Sequence, residues 1–120
     1  MNRKPLIYVC GAYRVPSPTT NTAAAIRVGF IVRDDIGAVP CIPHLSLIED
    51  LHTSRTDQYW LDATMDQMRC CDAVFRFNKS FSSGADAEER EAVRLGIPVF
   101  HEFATLADWV KQWKEQHDAK

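Results

Sequence analysis

The sequence predicts an α/β fold built on a small parallel sheet, and three observations carry that reading. Apolar runs rich in β-branched and aromatic residues alternate with stretches of helical period along the whole chain. Successive runs are separated by helix-length segments, which call for crossover connections rather than hairpins. The chain has 120 residues, 46% of them hydrophobic and 25% charged, enough for one layered core without a metal or a disulfide. Together these predict a three-layer, doubly wound arrangement of the Rossmann/flavodoxin-like kind. It would have four to five parallel strands flanked by helices. No internal repeat or linker interrupts it, so residues 1–120 read as one domain.

The elements follow in order. LIYVC (6–10) is a β-rich run after Pro5 and is closed by Gly11. VPSPTTN (15–21) is rich in turn residues and places Asn21 at a helix start. From Thr22 to Ile36, Ala25, Val28, Gly29, Val32 and Ile36 recur with a helical period, and Gly37 is the natural stop. AVPCI (38–42) is the second strand, closed by Pro43 and His44. The stretch 45–59, LSLIEDLHTSRTDQY, fits either a short helix or a loop. From Trp60 the stripe of Leu61, Thr64, Met65, Met68 and Cys71 is helical. AVFRF (73–77) is the third strand, NKSFSSG (78–84) a loop, Gly84 to Leu95 a helix and IPVFH (97–101) the fourth strand. Thr105 with Asp108 fits a capping box for a last helix whose core face is Leu106, Trp109, Val110 and Trp113. The polar tail KEQHDAK is expected to fray.

Composition excludes several classes of function. The net charge is −2 and Lys and Arg are scattered, which argues against a groove for a nucleic-acid polymer. No run is long enough to span a bilayer, so no membrane partner is expected. The four cysteines, Cys10, Cys41, Cys70 and Cys71, form no CxxC pair, and the first apolar run is too short for a secretory segment. They read as reduced thiols of a cytoplasmic protein. His44, His52, His101 and His117 lack metal-ligand spacing, so neither a metal nor another cofactor is expected.

In a doubly wound sheet, ligands bind outside the carboxyl ends of the strands. Tyr8, Cys10, Gly11 and Arg14 lie at the end of the first strand, and His44 after the second. Asn78, Lys79, Ser80, Ser82 and Ser83 follow the third strand, and His101 ends the fourth. Such a gathering of polar and basic groups with a glycine and a helix start suits a small anionic ligand. Loop ends are polar in most proteins, which is the competing explanation. Among the cysteines and aromatic residues the same competition holds: core packing accounts for most of them.

SSGADAE (82–88) raises the sharper question. At about 100° per residue, Gly84, Ala85, Ala92 and Leu95 all lie within about 60° of Glu88. The carboxylate therefore sits in the middle of the stripe that should face the sheet. Asp86 and Glu89 are explained as solvated acids near a helix N-terminus. Two readings of Glu88 stand. Ser83 and Asp86 fit a capping box, with Glu88 tilting to solvent or pairing with Arg76 or Arg14. Alternatively Glu88 points across the carboxyl edge of the sheet into a pocket, where a carboxylate attacks an electron-poor carbon or acts as a base.

IYVCGAYR, the Asn-led helix, PH after the second strand, CDAVFRF, and S-x-G-x-x-x-E before LGIPVF form an ordered set from Leu6 to Phe100. This set resembles the nucleoside 2-deoxyribosyltransferase superfamily, which includes 2′-deoxynucleoside 5′-monophosphate N-glycosidases and many small bacterial and phage proteins. The resemblance implies that Glu88 is a nucleophile that attacks the anomeric carbon and that Tyr8 orients it. It implies that Gly11 and Arg14 cradle the ligand, and that Ser82, with Ser83 and Gly84 beside it, meets a phosphate. It also implies a homo-oligomer, and the apolar character of Tyr59, Trp60 and the following helix makes them the expected part of its interface. One departure stands out. The superfamily usually carries an Asp eight residues before the Asp matched by Asp72, and this chain has Thr64 there. Asp62 and Asp66 flank the position but point to another helix face. His44 and Asp57 are the remaining candidates for assisting a departing base. The expected function is therefore N-glycoside hydrolysis or deoxyribosyl transfer on a nucleoside 5′-monophosphate or related nucleotide. The alternative is a nucleotide-binding module that has lost turnover.

Overall fold

The computed structural model describes residues 3–78 and 82–118. Four parallel strands, β1 (Leu6–Cys10), β2 (Val39–Cys41), β3 (Ala73–Arg76) and β4 (Val99–Phe100), form one sheet in the order β2-β1-β3-β4. Five α-helices flank it: α1 (Pro18–Phe30), α2 (Ser46–His52), α3 (Asp57–Arg69), α4 (Ser83–Arg94) and α5 (Phe103–Asp118). The predicted α/β class, the parallel sheet and the strand count of four are all present.

The central strands are buried on both faces, as a parallel sheet covered by helices requires. Ile7, Tyr8, Val9 and Cys10 of β1 and Ala73, Val74 and Phe75 of β3 have almost no exposed surface. Strand alternation sends their side chains into two separate cores. Ile7, Ala73 and Phe75 pack with Val32, Ala38, Leu106 and Val110, under the α1 and α5 side. Tyr8, Cys10 and Val74 pack with Met68, Cys71, Ala85 and Ala92, under α3 and α4. Each fully buried side chain of Val, Leu, Ile or Phe size contributes about 1.5–3 kcal/mol.

Several boundaries differ from the sequence reading, each for a local reason. Ser17, not Asn21, caps α1: its hydroxyl accepts from the Thr20 N–H at 3.1 Å, and Pro18 fills the first helical position. Asn21 is buried inside the helix, and its amide donates to the Tyr13 and Val15 carbonyls, each at 2.9 Å. After Phe30 the helix continues as a π-helical turn, Ile31–Ile36, which ends at Gly37 in the left-handed region with φ +80. The ambiguous stretch resolves into a 3-10 turn (Pro43–Leu45), α2, and the start of α3 under a Thr56 cap. Strand β4 is shorter than the apolar run that predicted it.

At α5, Thr105 does not cap. Its hydroxyl donates back to the Glu102 carbonyl at 3.0 Å, because the helix already begins at Phe103. That helix runs on through the polar tail to Asp118, helped by a stack of His117 on Trp113 with ring centroids 3.7 Å apart. Among the described residues no helix is long and apolar enough to cross a membrane, and all four cysteines are free thiols.

Candidate active site

The strand order places the topological switch between β1 and β3, and a crevice opens there beyond their carboxyl ends. A cleft of about 480 Å³ occupies this position. Its walls are the loop after β1 (Gly11 to Val15), Pro43 and His44 after β2, the first turns of α3, and the opening turns of α4 with Glu88. Of the residues the sequence placed at this edge, Gly11, Arg14, His44, Ser82, Ser83, Gly84 and Glu88 line the cleft, and Tyr8, Cys10, Asn78 and His101 do not. Lys79 and Ser80 lie outside the described residues.

Glu88 faces the sheet, as its place on the α4 stripe predicts, and only 6% of it is exposed. Tyr8, fully buried on β1, stands behind it and donates its hydroxyl to Glu88 Oε2. Cys10 Sγ lies 3.8 Å from Glu88 Oε1. The Thr64 hydroxyl also interacts with the carboxylate and with the Tyr8 hydroxyl, and it donates to the Leu61 carbonyl at 3.2 Å. Burial raises the Glu88 pKa above its ordinary value, against the lowering effect of Tyr8, Thr64, Cys10 and the more distant Arg76. Burial and the adjacent carboxylate likewise push the Tyr8 phenol well up, so it stays protonated and a donor.

The ion pairs proposed for Glu88 go elsewhere. Arg76, only 7% exposed at the end of β3, binds Asp86 at 2.7 Å and Glu89 at 3.6 Å. Asp86 and Glu89 are therefore not free solvated acids; they join α4 to β3. Arg14 pairs with Asp57 instead, linking the loop after β1 to the first turn of α3 across the cleft. That pair is largely exposed, and the Arg14 guanidinium also lies over the Tyr13 ring, 5.2 Å from its centroid.

The remaining predicted residues have distinct roles. Gly11 is a glycine for packing, since a Cβ there would come within 2.3 Å of the Phe77 ring. At Gly84 a Cβ would meet only Leu61 Cδ1 at 3.9 Å, so the protein's own packing does not demand a glycine. Ser82 caps α4: its hydroxyl oxygen accepts from the Ala85 N–H at 3.2 Å. The expected capping box at Ser83 and Asp86 is displaced, because the helix begins one residue earlier and Asp86 is taken by Arg76. His44 is buried, with Nε2 donating to the Ala12 carbonyl at 2.9 Å and Nδ1 without a partner among the described residues. Burial lowers its pKa, so the ring is neutral. His101 pairs with Glu89 at 3.3 Å and takes no part in the cleft.

Thr64 lies on the cleft wall, so the departure from the superfamily pattern falls at the site itself. Its neighbours do not replace a carboxylate there. Asp62 accepts from the Gln58 amide at 2.7 Å and Asp66 pairs with Arg69 at 2.8 Å, both on the exposed side of α3. Sequence reasoning missed the parts of four residues. Cys10 touches Glu88, which alternation along β1 from Tyr8 could have signalled. Trp60 and Leu61 line the cleft rather than only packing or forming an interface, and they share the helical stripe of Thr64. Asn21 holds the Tyr13 to Val15 loop, and its burial at a helix start was its only signal.

Among the described residues no group of three or more His, Cys, Asp or Glu side chains could hold a metal ion. Chemically, the site offers a desolvated carboxylate with a fixed phenol donor, facing a cleft whose rim carries the start of a helix and an arginine. No curated protein matches the chain. The profile of the Domain of unknown function (DUF7768) matches residues 5–102, which takes in all four strands and every residue of the cleft, and the chain belongs to this family.

Proposed function

We propose that the cleft binds a nucleoside 5′-monophosphate or a related nucleotide, its deoxy form included, and cleaves the N-glycosidic bond through Glu88. The observation that carries this reading is the buried Glu88 carboxylate, oriented by Tyr8 and open to the cleft. A structural carboxylate at this depth would be expected to pair with a cation, yet nearby Arg76 is engaged by Asp86 and Glu89. A carboxylate oxygen of Glu88 bonds to the anomeric carbon as the carbon–nitrogen bond breaks, and its electron pair leaves with the base. Water then attacks the same carbon, the glycosyl–Glu88 bond breaks and the carboxylate returns, and the proton that water loses balances the one the departed base takes up. This is the logic of a retaining glycosidase, with an oxocarbenium-like transition state. The first turn of α4 and the Arg14 guanidinium are the groups for the phosphate.

A second reading is favoured by Thr64. With a hydroxyl where a carboxylate would assist the departing base, the cleft binds a nucleotide without efficient turnover. His44 and Asp57 line the cleft, but one is a neutral ring tied to Ala12 and the other is paired with Arg14. Both readings include a cytoplasmic homo-oligomer, in keeping with the free thiols. The exposed Val15, Ile48, Leu51 and Tyr59 supply apolar surface for the oligomer contact.

The test is free-base release from a panel of ribo- and deoxynucleoside 5′-monophosphates by the wild type and Glu88→Ala. Release lost in the variant supports cleavage through Glu88. Nucleotide binding by thermal shift without release supports the second reading.

A further inference from the structure

Both oxygens of the Glu88 carboxylate carry a contact. Tyr8 donates to Oε2. On the other side, Cys10 Sγ lies 3.8 Å from Oε1 and 3.6 Å from the Ala85 carbonyl oxygen, one turn earlier on the same helix. Cys10 is fully buried at the last position of β1, opposite Arg76 of β3. Burial and the neighbouring carboxylate push its pKa well up, so the group is an S–H donor and not a thiolate. Tyr8 and Cys10 are two residues apart on one strand and therefore project to the same face.

We propose that Cys10 is a positioning residue for Glu88: its S–H, shared between the Ala85 carbonyl and Oε1, holds the second carboxylate oxygen while Tyr8 holds the first. The two contacts together fix the plane of the carboxylate relative to the cleft. A thiol suits this position because S–H is a weak donor. It orients Oε1 without withdrawing as much electron density as a hydroxyl, so the oxygen keeps its nucleophilic character. The inference rests on Glu88 being the reacting group of the proposed function.

The groups that bear on the Glu88 titration are Tyr8 and Cys10 from β1, Thr64 from α3, Arg76 from β3 and, more distantly, Cys41 from β2. On α4 itself Glu89 is engaged by Arg76. Of these, Cys10 acts on Glu88 through its S–H contact.

The experiment is a carbon-13 NMR titration of the Glu88 side-chain carboxyl in the wild type, Cys10→Ala and Cys10→Ser, without ligand. Alanine removes the donor, and the Glu88 midpoint rises by about half a pH unit, a modest change for a weak hydrogen bond. Serine restores a donor and returns the midpoint to the wild-type value or below. Midpoints unmoved by either variant, or moved alike by both, overturn the proposal. A measurement on protein with Cys10 as its only thiol needs no change at that position: its infrared S–H band moves to lower frequency as Glu88 ionises. A band that ignores the Glu88 titration contradicts the contact. Neither readout uses substrate, so the outcomes separate. The expected midpoints without base release overturn the glycosidase reading alone, and base release with unshifted midpoints overturns the positioning role alone.

Discussion

The two faces of the sheet are built from the same two central strands and differ in what they bury. On the α1 and α5 side, β1 and β3 contribute Ile7, Ala73 and Phe75 to an apolar cluster with Val32, Ala38, Leu106 and Val110. On the α3 and α4 side the same strands contribute Tyr8, Cys10 and Val74, and α4 adds a buried carboxylate beside them. The first cluster is held by packing of apolar side chains. The second holds a desolvated acid whose raised pKa records an energetic cost. Both faces therefore contribute packing, and the second gives up some stability to hold a buried carboxylate at the carboxyl edge.

That division can be broken or sharpened by substitution. The largest effect is expected at Glu88, where alanine lowers base release by about 10³-fold or more, since the proposed nucleophile is removed. Leu106→Ala, on the opposite face, costs about 3 kcal/mol of stability in denaturant unfolding, while kcat/KM of the folded fraction stays near wild type. Should this substitution impair catalysis as strongly as stability, the two faces are not separable. Tyr8→Phe falls between these cases. It removes the donor on Oε2, lowers the rate by roughly tenfold, and moves the acid limb of the rate profile further up.

Acid sensitivity follows from the sign of the Glu88 shift. As the proposed nucleophile Glu88 must be ionised, and burial raises its pKa above the ordinary 4.5. Activity is thus lost as pH falls through a midpoint above that value, and a kcat/KM profile with its acid limb at or below 4.5 contradicts the burial argument. Stability runs in the opposite sense. A carboxyl whose folded pKa exceeds its unfolded value favours the fold fully below the unfolded pKa, and this advantage is lost as pH rises through the folded pKa. The smallest expected effect is therefore a gain: at neutral pH Glu88→Gln, which keeps the shape and removes the charge, stabilises by about 1 kcal/mol, roughly 4 °C in Tm. Calorimetry at neutral and acidic pH checks it, and the difference between the two proteins should shrink in acid.

Much of this was legible in the sequence because it depends on period. The helical stripe through Gly84, Ala85, Ala92 and Leu95 placed Glu88 against the sheet, and the β-rich apolar runs gave the central strands. What periodicity does not reveal is competition among partners. Asp86 and Glu89 looked like solvated acids because nothing in their spacing points to Arg76, which reaches them from another element. The partner of Arg14 was hidden for the same reason: Asp57 lies 43 positions away in sequence and pairs with it. Caps were misplaced by one to four residues wherever several serines, threonines or asparagines competed for one helix start. Tertiary contacts decide such contests, and local propensity does not.

The central claim is that Glu88 is buried for chemistry and not for structure. Its most direct test is the rate of free-base release by wild type and Glu88→Gln from the nucleoside 5′-monophosphate the wild type cleaves best. The account predicts that the variant binds that nucleotide, remains folded, and releases no base above the uncatalysed rate. Release by the variant at a rate near wild type would contradict it and return Glu88 to a structural role.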